Sequence, residues 1–132
     1  MDTSETFIKQ CEKAEEIQGA WKHSKRNSGD WYHHRRMGRA YVVSELDQED
    51  IDCLWLPRQD QLQEIYRQYD KTVSIWGMVS RLKDFIYGVD DNDFTREAEL
   101  FTSMEQLWLA FVMKEKYQKT WDGNDWIKNP LS

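Results

Sequence analysis

Arg58, Gln59 and Gln18 are the residues whose types could build a polar pocket. Arg58 and Gln59 fall on the same helical face as Leu62, Ile65 and Tyr69. Gln18 lies in the middle of another helical stripe, Phe7, Ile8, Cys11, Ala14, Ile17 and Trp21. If the two stripes meet, a guanidinium and two amides sit in or beside an aromatic core. One reading is structural: a buried Arg takes a carboxylate or helix-end carbonyls as partners, and a buried amide takes backbone groups. The other is a pocket for a small polar ligand or a peptide carboxylate. Both stay open, the structural one being the commoner arrangement.

A second constellation is basic. Lys22, Lys25, Arg26, Arg35, Arg36 and Arg39 interleave with Trp21, Trp31, Tyr32 and Tyr41. Cations beside stacking rings are what single-stranded nucleic acid needs. Residues 22–44 carry a net +5, and residues 45–52, with Glu45, Asp47, Glu49, Asp50 and Asp52, carry −5. The two blocks can neutralise each other across a loop, or form a dipolar surface that orients a partner. The chain as a whole carries −6, which opposes phosphate approach.

Other chemistry is absent from the pattern. There is no phosphate-binding G-x-x-x-x-G-K-[ST], no G-x-G-x-x-G, no G-x-S-x-G and no H-E-x-x-H. His33 and His34 are adjacent and alternate across a strand, so they do not share a zinc. Asp90–Asp93 starts like a calcium loop but has Thr95 at the turn position and Phe101 at the closing position. Glu5, Glu12, Glu15 and Glu16 make an acidic helix face with no matching second acidic helix, so a solvated face is the better reading. No catalytic residue, metal or cofactor is implied.

These residues must be positioned by a chain of 132 residues, enough for a single domain. It is 39% hydrophobic and 32% charged, but 14% aromatic, with seven tryptophans; that aromatic content argues against disorder. The N-terminus has neither the basic nor the apolar region of a signal peptide. The longest apolar run, Leu107–Met113, is too short for a membrane span. Cys11 and Cys53 read as small buried hydrophobes in a reducing compartment.

The periodicity predicts an α+β fold of about four helices and about three antiparallel strands. A first helix runs from a cap at Asp2, Thr3 or Ser4 to about Trp21. Trp31–His34 and Tyr41–Val43 form a hairpin around Arg35–Arg39, and Cys53–Leu56 is a third, buried strand. Pro57 suits the first position of the next helix. Thr72 caps a helix whose stripe is Ile75, Met78, Val79, Leu82, Phe85 and Ile86, with Trp76 at its border and Gly88 at its end. Asp90–Asp93 is a loop, and a short helix spans Phe94–Phe101. Ser103 and Gln106 form a capping box that opens a helix to about Lys119. That helix is apolar on every side, so the others and the sheet should pack around it. Trp121 and Trp126 flank a turn and should fold back on the body.

Three segments carry a resemblance: Cys11–Gln18 (CEKAEEIQ), Trp55–Gln63 (WLPRQDQLQ), and Ser103–Met113 (SMEQLWLAFVM) with Trp121-Asp122-Gly123 after it. In order and spacing they resemble small uncharacterised proteins encoded by phages and prophages of Gram-positive bacteria. The resemblance implies a phage-related origin and the bacterial cytoplasm, and it transfers no catalytic residue. The expected function is a small non-catalytic interaction module with a protein partner and no membrane. The alternatives are nucleic-acid binding through residues 22–41 and a small enzyme acting on a polar small molecule.

Overall fold

The computed structural model describes residues 1–22, 29–42, 53–87 and 101–129. The acidic block 45–52, Gly88, the Asp90–Asp93 loop and the helix expected around Phe94 and Ala98 lie outside the described residues. Among those described, the chain forms five helices and two antiparallel sheets, an α+β architecture.

Helix α1 (Glu5–Lys13) starts at Ser4, whose Oγ accepts from the Phe7 N–H at 3.2 Å. The single helix expected through Trp21 is in fact two. The backbone leaves helical geometry at the fully buried Ala14 (φ −88°, ψ 72°), and α2 (Glu15–Lys22) restarts from there. The break redirects Gln18. Its Nε2 donates to the Cys11 carbonyl near the end of α1 (3.3 Å), and its amide reaches the sheet.

Strands β1 (Trp31–His34), β2 (Arg39–Val42) and β3 (Cys53–Leu56) form one sheet in the order β2-β1-β3. Tyr32 lies opposite Tyr41 on one side and Trp55 on the other. The β1–β2 turn closes with Gly38 at φ 64°, a conformation costly for any residue with a Cβ. The three-stranded sheet packs chiefly through β3 onto α1 and α2 rather than, as the sequence predicts, onto the central helix, with Leu54, Trp55 and Leu56 all buried.

Helix α3 (Gln59–Tyr69) begins two residues after Pro57, which lies buried ahead of the helix rather than at its first position. Arg58 takes the cap position, extended at φ −74°, ψ 162°, and its N–H donates to Gln61 Oε1 at 2.9 Å. Helix α4 (Ile75–Tyr87) is capped by Ser74, not Thr72: the Gly77 N–H donates to Ser74 Oγ at 3.0 Å. Thr72 is already engaged by Asp70 Oδ1, through its N–H at 3.2 Å and its hydroxyl at 2.7 Å.

Helix α5 (Met104–Tyr117) is the most buried element, and every residue from Trp108 to Met113 is buried. Ser103 Oγ accepts from the Gln106 N–H at 3.1 Å, as the capping box requires. The reciprocal bond is displaced by one residue: Gln106 Oε1 accepts from the Thr102 N–H, and its Nε2 donates to Asp2 at 2.8 Å. Gln118, left-handed at φ 55°, ends the helix one residue before Lys119. Strands β4 (Lys119–Trp121) and β5 (Trp126–Lys128) then make a second sheet where the sequence predicts only a turn. Its two tryptophans fold back as expected, with ring centroids 5.0 Å apart, and the Trp126 indole N–H donates to the Gln10 carbonyl at 2.9 Å. Phe111 joins three helices, 5.0 Å from Tyr66, 5.6 Å from Trp108 and 5.8 Å from Phe85.

Candidate functional site

Gln18, Arg58 and Gln59 do not form one pocket. Gln18 is spent on β3: its Nε2 donates to the Trp55 carbonyl and its Oε1 accepts from the Trp55 N–H, both at 2.9 Å. The side-chain amide thus bonds the edge strand where a further strand would pair. Arg58 is committed elsewhere. Its Nη1 donates to the Gly29 carbonyl at 2.6 Å, and its Nε and Nη2 donate to the two oxygens of Asp60 at 3.0 and 3.3 Å. Asp30, a buried carboxylate, lies 3.6 Å from Arg58 and accepts from Gln61 Nε2 at 2.6 Å. The Arg58 guanidinium bonded to Asp60 holds that carboxyl below its ordinary range. This network ties the start of β1 to the start of α3. It forms one wall of an open cleft of about 490 Å3, whose other lining includes Gln63, Glu64, Arg67, Ile75 and Met78. Gln59 is half-buried and takes no part in the network bonds described.

The basic segment is only partly in view. Lys25, Arg26 and the Lys22 side chain lie outside the described residues. Arg35, Arg36 and Arg39 cluster within five residues at the exposed end of the β1–β2 hairpin. Tyr32 and Tyr41 stack at 5.7 Å with an interplanar angle of 25°. Trp31 falls on the opposite face of β1 and packs against the core.

The region that sequence reasoning missed is the outer face of α4. Its buried contacts are Met78, Leu82 and Phe85. Ile75 and Val79, expected in the core stripe, are exposed, and Trp76 is 81% exposed. Trp76, Val79, Lys83 and Tyr87 follow one another at i, i+3, i+7 and i+11, a single stripe along the helix. The signal was present: apolar residues at 75, 76, 78, 79, 82, 85, 86 and 87 span a wider arc than one core contact can cover. Tyr69, assigned to the α3 stripe, is also exposed, at the end of α3. Arg81 fastens α4 to α3, its Nη1 donating to both the Tyr66 hydroxyl and Asp70 Oδ2 at 2.6 Å. Hydrogen bonds from Arg81 and Thr72 lower the Asp70 pKa to about 2. Residues 67–87 hold four basic and two acidic side chains, in a chain whose net charge is −6.

Cys11 is buried as expected, and burial raises its thiol pKa well above the ordinary value. Cys53 is only half-buried, because it begins β3 opposite His34; both cysteines are free thiols. Among the described residues, no group of three His, Cys, Asp or Glu side chains could hold a metal. No helix among them is long and apolar enough to cross a membrane. Compared with protein-family models, curated proteins and solved structures, the chain matches none.

Proposed function

We propose that the protein is a small non-catalytic interaction module of phage or prophage origin, working in the bacterial cytoplasm, and that its docking face is the outer side of α4. The observation that carries this is Trp76, 81% exposed beside the exposed Ile75 and Val79 on a helix already anchored by its other face. An exposed Trp flanked by aliphatic side chains is the composition of an interface hot spot.

The occupant that fits is an amphipathic helix with acidic residues beside its apolar stripe. Trp76, Val79 and Tyr87, at i, i+3 and i+11 with Lys83 between them, match a partner helix laid along the same axis. The local charge supports an acidic rim: exposed Arg67 and Lys71 lie where α3 turns into α4, Arg81 is paired with Asp70, and the exposed Lys83 and Asp84 of α4 offset each other, which leaves the basic side chains in excess. Ile75 and Met78 also border the cleft beside α3, whose remaining lining is polar and charged, so the apolar face ends there.

The test uses a labelled amphipathic peptide of about 18 residues, with Leu on one face and Glu beside it, and a second peptide with Lys in place of Glu. Fluorescence anisotropy should show saturable binding of the Glu peptide, at least about tenfold weaker binding of the Lys peptide, and at least about tenfold weakening by Trp76→Glu. Equal binding of both peptides, or binding unaffected by Trp76→Glu, overturns the proposal. A concentration-dependent dimer in light scattering that Trp76→Glu abolishes replaces the acidic helix with a second copy of the chain.

A further inference from the structure

The β1–β2 hairpin carries chemistry that the α4 face does not use. Strand alternation places Tyr32 and His34 of β1 on one side of the sheet, together with their partners Tyr41 and Arg39 of β2. Trp31 and His33 take the other side, toward Leu54, Leu56 and the core. That first side also carries Cys53 and the buried Trp55 of β3; the half-buried tyrosine pair stacks there beside the exposed Arg39, and its outer end leads directly into Arg35 and Arg36 in the turn. Arg35, Arg36 and Arg39 are all exposed.

We infer that this hairpin is a binding site for single-stranded nucleic acid. Phosphates sit at Arg35, Arg36 and Arg39, and a base stacks on the tyrosine pair. Stacking is tolerant of base identity, so binding is weakly sequence-dependent. The chain's net charge of −6 sets the form of the ligand. A long polyanion or a duplex, with twice the charge per unit length, is repelled by the rest of the surface. A short flexible strand can confine its phosphates to the hairpin. Duplex bases are also already stacked on one another and offer the tyrosines no free face.

Three phosphate contacts on a single strand give a salt slope of about −2, so affinity should fall roughly tenfold to twentyfold between 50 and 200 mM salt. The experiment is an anisotropy titration of the full chain with a labelled single-stranded 12-mer, its abasic counterpart and the matching duplex, at both salt concentrations. The single strand should bind saturably, and the duplex and abasic strand several-fold more weakly. Arg35→Ala/Arg36→Ala should weaken binding about tenfold at low salt and flatten the slope by between one and two, and a thermal melt of the variant checks that it remains folded at the titration temperature. Three results overturn the inference: no saturable binding at 50 mM salt, the double variant binding as the wild type does, or the abasic strand binding as tightly as the base-bearing one. The last would reduce the site to a polyanion contact. Trp76→Glu serves as the control, since it removes the α4 face and should leave oligonucleotide binding intact.

Discussion

Helices α4 and α5 are almost equal in length, 13 and 14 residues, and both are rich in apolar side chains. Their tryptophans have opposite fates: Trp108 of α5 is 3% exposed and Trp76 of α4 is 81% exposed. α5 is enclosed because α1, α3 and the β4–β5 hairpin all pack on it. α4 has its core contact on one face only, fixed by Met78, Leu82 and Phe85 and tied at its flank by Arg81. Apolar content decides that a helix must be covered, but the number of neighbours decides whether the chain itself supplies the cover. In α5 the apolar residues stabilise the fold; in α4 half of them, Ile75, Trp76, Val79 and Tyr87, are exposed.

The sharpest break between the two helices is a pair of truncations, beginning with the larger. Trp108→Ala should destabilise the protein by roughly 3–5 kcal/mol, as aromatic truncations in cores do, read from the urea midpoint of reversible unfolding. An unchanged midpoint would place Trp108 outside the core. Gln18→Ala should come next, at about 1–3 kcal/mol, because the Trp55 N–H and carbonyl lose their amide partner at the edge of β3. If that loss is below about 0.5 kcal/mol, Gln18 is not the clasp that the geometry describes.

A pH series probes the tie between α3 and α4. Asp70 has a folded pKa of about 2, lowered from 3.8, so its carboxylate adds stability that is fully present above pH 3.8. That stability is lost as the pH falls through about 2. Asp70→Asn should therefore be less stable than wild type at neutral pH, and the difference should close between about pH 4 and pH 2. A difference that persists unchanged below pH 2 would show that the loss comes from packing and not from the charge. The smallest effect belongs to Trp76→Ser, expected to change stability by no more than about 0.5 kcal/mol, since the side chain buries little. A loss comparable to that of Trp108→Ala would mean that Trp76 is covered in solution.

The strong local signals carried most of the fold. The apolar run 107–113, the Ser103 cap, the Cys53–Leu56 strand and the hairpin around Arg35–Arg39 were all legible, because each is written in adjacent residues. The features that escaped depend on distant partners. The break at Ala14 is visible only once Gln18 has Trp55 to bond. The guanidinium of Arg58 is held by the carbonyl of Gly29, 29 residues earlier in the chain. Arg58 and Gln18 read as one pocket because both lie on apolar stripes, yet Gln18 bonds β3 while Arg58 bonds the turn ahead of β1 and its own helix. The outer face of α4 was readable as excess apolar arc, but periodicity gives the direction of a side chain and not whether anything lies opposite it.

Hydroxyl-radical footprinting of the folded chain, read residue by residue in a mass spectrometer, tests the contrast between the helices and the docking face together. In the free protein Trp76 should oxidise rapidly and Trp108 should be spared. At saturating acidic amphipathic peptide Trp76 should become protected while Trp108 stays as it was. Slow oxidation of Trp76 in the free protein, or rapid oxidation that saturating peptide leaves unchanged, would contradict the account.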